Sequence, residues 1–186
     1  MRRVSITVLV AIAIAMTAAA CAKDPQKAKV EYFESGNRYF EQKKYQEAVV
    51  EYRNAIQQDP KYGEARYKLA EAYAKLDDAR NAYREYIRAA DLMPANTEAQ
   101  LRAGTLLLLA GQYEDARTRA DKVLAAQPKN IEAQVLRANA LAGLKNMEAA
   151  IEEINEAIAL DPNKATTYAN LGALEQVRGR GPEAEA

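Results

Sequence analysis

Residues 60–94 read PKYGEARYKLAEAYAKLDDARNAYREYIRAADLMP, a stretch that runs from one proline to the next with two apolar-periodic segments between them. Pro60, Pro94, Pro128 and Pro162 follow one another at intervals of 34 residues. Working outward at that period, Ala48, Ala82, Ala116, Ala150 and Ala184 share one register, and Gly36, Ala70, Gly104, Ala138 and Gly172 share another. Tyr39, Tyr73, Leu107 and Leu141 hold a third; Tyr52, Tyr86, Ala120 and Ile154 a fourth; Ala55, Ala89, Val123 and Ala157 a fifth. No insertion breaks the register across residues 29–184. Each period carries two runs of about 12–14 residues at helical spacing. The spacing predicts helical pairs over 29–58, 63–92, 97–126 and 131–160, and one further helix near 165–178. The small residues let two helix backbones approach, and the large one beside them fills the gap. Each proline ends a second helix because it has no N–H to continue the ladder. Asn96, Thr97, Asn130 and Asn163 are placed to cap the helices that follow. One such hairpin cannot bury both faces, so the copies must stack.

The composition excludes several functions. Among 186 residues, 26 Lys and Arg balance 26 Asp and Glu, so the chain lacks the basic footprint of a nucleic-acid binder. Glycine and proline are scarce, at 8 and 6, while good helix formers abound. There is no histidine, the commonest general base and metal ligand, and Cys21 is the one cysteine. An internal disulfide and the Cys/His zinc patterns are thereby excluded. The lysines carry no glycine-rich phosphate loop. Charged neighbours such as Glu152 with Glu156, or Asp115 with Arg119, read as solvated helix faces. We expect no catalytic site, no cofactor and no metal.

Counted from residues 29, 63, 97, 131 and 165, the pattern has a small residue at position 8, a large one at 11, alanine at 20 and proline at 32. It resembles the tetratricopeptide-repeat (TPR) family, whose period is 34 residues. The resemblance implies an all-α fold, a right-handed superhelical solenoid of antiparallel helix pairs. About 4.5 repeats would fill residues 29–178. Position 4 departs from the family, holding Arg66, Gln100 and Gln134 in the middle copies where Tyr32 and Tyr168 stand at the ends. Ser35 and Arg137 replace leucine at position 7, and Glu175 stands where an apolar residue is expected. These departures are expected to weaken single contacts without disturbing the period.

In this family the first helix of each copy lines a concave surface that holds a protein or peptide partner. The resemblance implies a groove of Phe33, Asn37, Phe40, Tyr67, Glu71, Leu101, Thr105, Leu108 and Asn139. Nine of the 11 tyrosines and both phenylalanines lie in residues 29–90, so the aromatic anchors are expected there. Tyr39, Tyr52, Tyr73 and Tyr86 hold core offsets instead. Some family members clamp a partner's C-terminal carboxylate with lysine, arginine and asparagine. Asn37 and Arg102 match that clamp; Phe33, Lys68 and Glu98 do not, and a glutamate there would repel the carboxylate. The chain is expected to be a monomer.

At the N-terminus, Arg2 and Arg3 precede the charge-free run Val4–Ala20, which closes on Ala18-Ala19-Ala20. That is the three-part layout of a secretory signal peptide, expected over residues 1–21. Ala18-Ala19-Ala20-Cys21 resembles a bacterial lipobox, although leucine is usual where Ala18 stands. The resemblance implies that Cys21 is lipidated and anchors the chain on the periplasmic side of a bacterial envelope. Read as an ordinary A-x-A site, Cys21 is an incidental thiol; an uncleaved anchor is the third reading. Residues 22–28 read as a polar tether, and residues 179–186 as the start of a next helix cut short. The layout resembles the TPR lipoproteins of bacterial export and assembly systems, including those found with exosortase and exopolysaccharide loci and those of pilus assembly. It implies a non-catalytic interaction scaffold. The alternative is an adaptor or sensor segment of a larger protein.

Overall fold

The computed structural model describes residues 24–184. The expected signal segment, with Cys21, and the first two residues of the expected tether lie outside the described residues. Nine helices follow one another among those described, with no strand: α1 (Pro25–Glu41), α2 (Tyr45–Gln58), α3 (Gly63–Lys75), α4 (Ala79–Leu92), α5 (Thr97–Leu109), α6 (Tyr113–Ala126), α7 (Ile131–Gly143), α8 (Met147–Leu160) and α9 (Ala165–Ala184). The expected pairs are α1–α2, α3–α4, α5–α6 and α7–α8.

Two boundaries differ from expectation. Residues 25–28 are not a tether: they form the first turn of α1, with Pro25 at its start and Asp24 Oδ1 accepting from the Gln26 N–H at 2.9 Å. Proline suits that place because its missing N–H would be unpaired there anyway, and Ala28 is buried. At the other end, α9 continues through Gly179 to Ala184 as one helix. Those residues extend the first helix of copy five and do not begin a second one.

The turn within each pair uses the same device four times. Lys43, Asp77, Gly111 and Lys145, all at position 15, adopt left-handed φ values of 60°, 57°, 73° and 64°. The next N–H reaches back to the carbonyl of position 11: Lys44 to Tyr39, Asp78 to Tyr73, Gln112 to Leu107 and Asn146 to Leu141, all at 2.9–3.0 Å. That closure satisfies carbonyls a helix end leaves free. Asn96 and Asn130 cap α5 and α7 as expected, accepting from the N–H groups of Ala99 and Ala133. Thr97 does not cap; it lies inside α5 and its hydroxyl accepts from Gln127 at 2.8 Å. Asn163 sits in a turn, donating its N–H to Asp161.

The core is built where the registers predict. Ala48, Ala82, Ala116 and Ala150 are buried where the helices of a pair meet, as are Ala55, Ala89, Val123 and Ala157. Tyr52 and Ile154 are the largest wholly buried apolar side chains. Each helix packs on its sequence neighbours, and α1 on α3, α5 on α7 and α7 on α9 also touch. First helices therefore approach one another across copies, which places them on the inner, concave side of the superhelix.

Three of the departures at positions 4 and 7, Arg66, Gln100 and Arg137, do not simply weaken contacts; they form a polar seam against position 23 of the second helix. Arg66 holds Glu85 at 2.7 Å, with side chains 13% and 4% exposed. Gln100, 1% exposed, accepts from Arg119 at 3.3 Å and donates to the Ala90 carbonyl. Arg137 grips both oxygens of Glu153, at 2.6 and 2.7 Å. Burial alone would lower the Arg137 pKa, but the hydrogen bonds to Glu153 raise it, so the guanidinium keeps its charge. Arg119 and Arg137 also reach across to the preceding copy, to Asp91 and Asp121.

Candidate functional site: the concave groove

The concave face carries two depressions. The first, about 230 Å³, is lined by Phe33 of α1, by Glu64, Tyr67, Lys68 and Glu71 of α3, and by Met93, Asn96 and Glu98. The second, about 750 Å³, is lined from α5, α7 and α9, with Leu101, Val135 and Leu136 as its apolar floor. Around that floor stand Glu98, Arg102, Thr105, Glu132, Lys164 and Asn170. The helical period puts positions 2, 5, 6 and 9 on one face, which is why one register supplies the lining copy after copy.

Of the nine groove residues expected from the sequence, five line these depressions. Phe33 is half-buried, tilted against Tyr62 and Tyr52 with centroids 5.1 and 5.9 Å apart. Tyr67 is a correction: it is 9% exposed and packs edge-on against Tyr86, so it belongs to the core. Only its hydroxyl reaches the groove, donating to Glu98 at 2.7 Å. Burial and that carboxylate push the phenol pKa up, so the proton stays on. Glu71 pairs with Lys68 at 2.7 Å, and Leu101 and Thr105 line the second depression.

The other four do not line either depression. Asn37 accepts from the buried Tyr52 hydroxyl at 2.8 Å, so its carbonyl oxygen serves the core. Phe40 lies edge-on to Tyr45, with the Lys68 ammonium 5.8 Å from its centroid. Leu108 is half-buried against Leu107, Ala116 and Ala140. Asn139 donates to Asn170 at 3.2 Å, and only the latter lines the groove. The groove expected from the sequence omits position 6, which supplies Lys68, Arg102, Leu136 and Asn170; Lys68 and Arg102 entered only as candidates for a carboxylate clamp. The period was available to find it, because that position lies four residues after 2 and three before 9 on a helix.

The two depressions differ in charge. Glu64, Glu71 and Glu98 outnumber Lys68 around the first, whereas Glu98 and Glu132 balance Arg102 and Lys164 around the second. A side chain or backbone segment that docks there finds an apolar floor with donors and acceptors on its rim. Among the described residues no helix is long and apolar enough to cross a membrane.

Comparison with known proteins agrees with this geometry. Residues 36–77 match a family model described as TPR repeat, and residues 74–117 and 101–165 match one described as tetratricopeptide repeat. The chain is 36% identical over 110 residues to RNA polymerase II-associated protein 3 of Mus musculus, covering 59% of this chain and 16% of that one. It is 29% identical over 134 residues to the Hsp70-Hsp90 organizing protein of Triticum aestivum, covering 72% of this chain and 21% of that one. The chain thus spans about a fifth or less of the curated relatives it matches. Among solved structures, MamA (residues 41 to the end) from Desulfovibrio magneticus RS-1 superposes with a TM-score of 0.70 at 25% identity, covering 85% of this chain and 89% of that one. YrrB, described as a TPR protein with an unusual peptide-binding site, superposes with a TM-score of 0.65 at 25% identity, covering 77% and 74%.

Proposed function

The chain belongs to the tetratricopeptide-repeat family, a family of protein-interaction scaffolds, and from that premise we propose that it is a non-catalytic scaffold whose concave groove holds a segment of another protein. The observation that supports this is the second depression, where an apolar floor of Leu101, Val135 and Leu136 is ringed by exposed Glu98, Arg102, Thr105 and Glu132. Apolar floor with polar rim is the composition that anchors a helix or an extended peptide. Glu98 stands in both depressions, so a partner's terminal carboxylate is repelled, and the chaperone-tail reading is set aside.

The signal layout of residues 1–21 supports export, and Cys21 supports a lipid anchor in a bacterial envelope. The length of the curated relatives favours a second reading, an adaptor segment of a larger protein. The gene's stop codon decides between the two.

The groove is tested by pull-down from envelope extracts. Thr105→Trp with Glu132→Arg fills and recharges the second depression at exposed positions. Capture should fall about tenfold or more with helicity unchanged, while Glu152→Ala with Glu156→Ala on the outer face leaves capture intact. Full capture by the groove variant would refute the assignment. For the anchor, a fatty-acid probe should label the protein and Cys21→Ser should abolish the label. An unlabelled soluble product beginning at Cys21 would favour plain secretion.

A further inference from the structure

The outer side of the superhelix has a groove of its own. Helices α2 and α4, the second helices of copies one and two, both pack on α3. The groove between them, about 810 Å³, is lined from all three helices. Four guanidiniums stand in that lining, Arg53, Arg66, Arg84 and Arg88, against one carboxylate, Glu85. Glu85 is buried and lies 2.7 Å from Arg66, 3.1 Å from Arg84 and 3.5 Å from Arg88. Arg66 is further held by the Pro60 carbonyl, at 2.9 and 3.2 Å. The other three keep donors to spare. Arg84 and Arg88 each turn one nitrogen to Glu85 and are 52% and 55% exposed. Arg53 is exposed and takes part in none of the ion pairs among the described residues. One carboxylate cannot balance four guanidiniums, so a chain that is neutral as a whole concentrates positive charge here.

A guanidinium fork matches the paired oxygens of a carboxylate or a phosphate. The rest of the lining separates these two anions. Val50, Ile56, Leu69 and Tyr73 add apolar surface, and Asn54 and Gln57 add carboxamides that make no side-chain hydrogen bond among the described residues. A phosphate chain has use for neither. A peptide uses both, because a carboxamide can donate to and accept from its backbone, and apolar surface seats the side chains between the acidic ones. The spacing agrees. Arg80, exposed like Arg84 and Arg88, continues their stripe one turn toward the start of α4, and such residues follow one another about 6 Å apart along a helix axis. In an extended chain, side chains on one face repeat at about 6.6 Å. We propose that the groove between α2 and α4 binds an extended peptide with acidic residues at alternate positions. Its carboxylates run along the arginine stripe of α4, with Arg53 on the α2 wall. This site lies on the side of the stack away from the concave groove and does not rest on that reading.

Fluorescence anisotropy of the full chain, in a non-ionic detergent that accommodates its charge-free N-terminal run, tests the proposal. The probe is a fluorescein-labelled peptide of alternating Asp and Val, about eight residues long and so ~26 Å when extended. Saturable binding is expected at about 30 mM salt, weakening about tenfold or more by about 500 mM. The same peptide with Asn in place of Asp should not bind. Arg53→Glu with Arg84→Glu should weaken binding about tenfold or more. Lys122→Glu with Lys129→Glu makes the same charge change at exposed positions outside the groove, and should leave binding within about twofold. Because Arg84 touches Glu85, circular dichroism checks the arginine variant. If it unfolds, Arg53→Glu alone decides, with an expected loss of about threefold or more. No binding by wild type at low salt, equal binding of the Asn peptide, or undiminished binding by the folded arginine variant would overturn the proposal. So would an equal loss in the lysine variant, which would make net charge the cause. A short polyphosphate of matched charge that displaces the peptide at lower concentration than unlabelled peptide does would make this a phosphate site and overturn the assignment to a peptide.

Discussion

Gly36 and Gly172 occupy position 8 of their copies, yet a methyl group added to each meets different surroundings. At Gly36 it would lie 2.5 Å from Cε1 and 2.6 Å from Cδ1 of Tyr52, a ring with no exposed surface. The Tyr52 hydroxyl is held by Asn37, so the ring resists moving. Copy two places Ala70 beside Tyr86, but there the ring leans on Tyr67 and no such tie restrains it. Gly36→Ala should therefore lose about 1–3 kcal/mol to overpacking, offset by about 1 kcal/mol of helix propensity. At Gly172 nothing lies within 4 Å, and only the propensity gain remains, so Gly172→Ala should stabilise by up to about 1 kcal/mol. Thermal unfolding should move in opposite directions for the two variants. The small residue at position 8 was legible in the sequence. The Tyr52–Asn37 bond was not, because nothing local marks which acceptor a buried phenol reaches. A second residue-scale test concerns pH. The hydrogen bond from Lys29, 2.6 Å away, and then the Lys61 N–H hold the Asp59 carboxyl below its usual range. A depressed folded-state pKa stabilises above the unfolded value, about 3.9, and that contribution is lost as pH falls through the folded value. Lys29→Met should lower the melting temperature at neutral pH, and its gap to wild type should close as pH falls below the carboxylate range.

At the scale of the elements, the 34-residue period located seven of the nine described helices to within a residue or two, because proline and the turn chemistry recur with it. It failed where the repeat does not speak. Asp24 and Pro25 lie before the first copy but form a helix start, and α9 runs on where the repeat calls for a turn. The polar seam was hidden for a different reason. Arg66, Gln100 and Arg137 look like defects when compared with the leucine or tyrosine usual at their positions. They make sense only beside Glu85, Arg119 and Glu153, 16 or 19 residues away. The intra-pair turns give the cleanest test at this scale. Position 15 of these four turns needs a left-handed residue, and among them copy three alone uses glycine, Gly111 at φ 73°. No atom lies within 4 Å of its would-be Cβ, so packing cannot contribute. Gly111→Ala should cost about 1 kcal/mol through backbone strain alone, and Lys145→Gly should cost nothing or stabilise slightly. Equal melting temperatures for wild type and Gly111→Ala would show that the turn relaxes out of the left-handed region.

For the whole molecule, the groove was legible as a face and not as a set of anchors. The period assigns first helices to the concave side, but whether an aromatic there is core or rim depends on how far its ring leans between helices, as Tyr67 shows. The same one-dimensional build governs stability. Each copy gains its burial from its neighbours, so local opening should follow position in the stack. Central helices are covered on both sides: Ala65 and Ala72 of α3, Ala99 and Ala103 of α5, and Ala133 and Ala140 of α7 are all at most 1% exposed. Helix α9 packs on α7 and α8, and buries Leu174 against them. Its other face stays open among the described residues, with Tyr168 and Val177 47% and 58% exposed. Native-state hydrogen exchange should show α9 amides protected on the order of 100-fold less than those of α5, a gap of about 2.7 kcal/mol in opening free energy. Protection should then rise toward the middle of the stack and not step up in one block. If α9 exchanges as slowly as α5, the copies open as one cooperative unit, and nearest-neighbour stacking is not what sets stability along this superhelix.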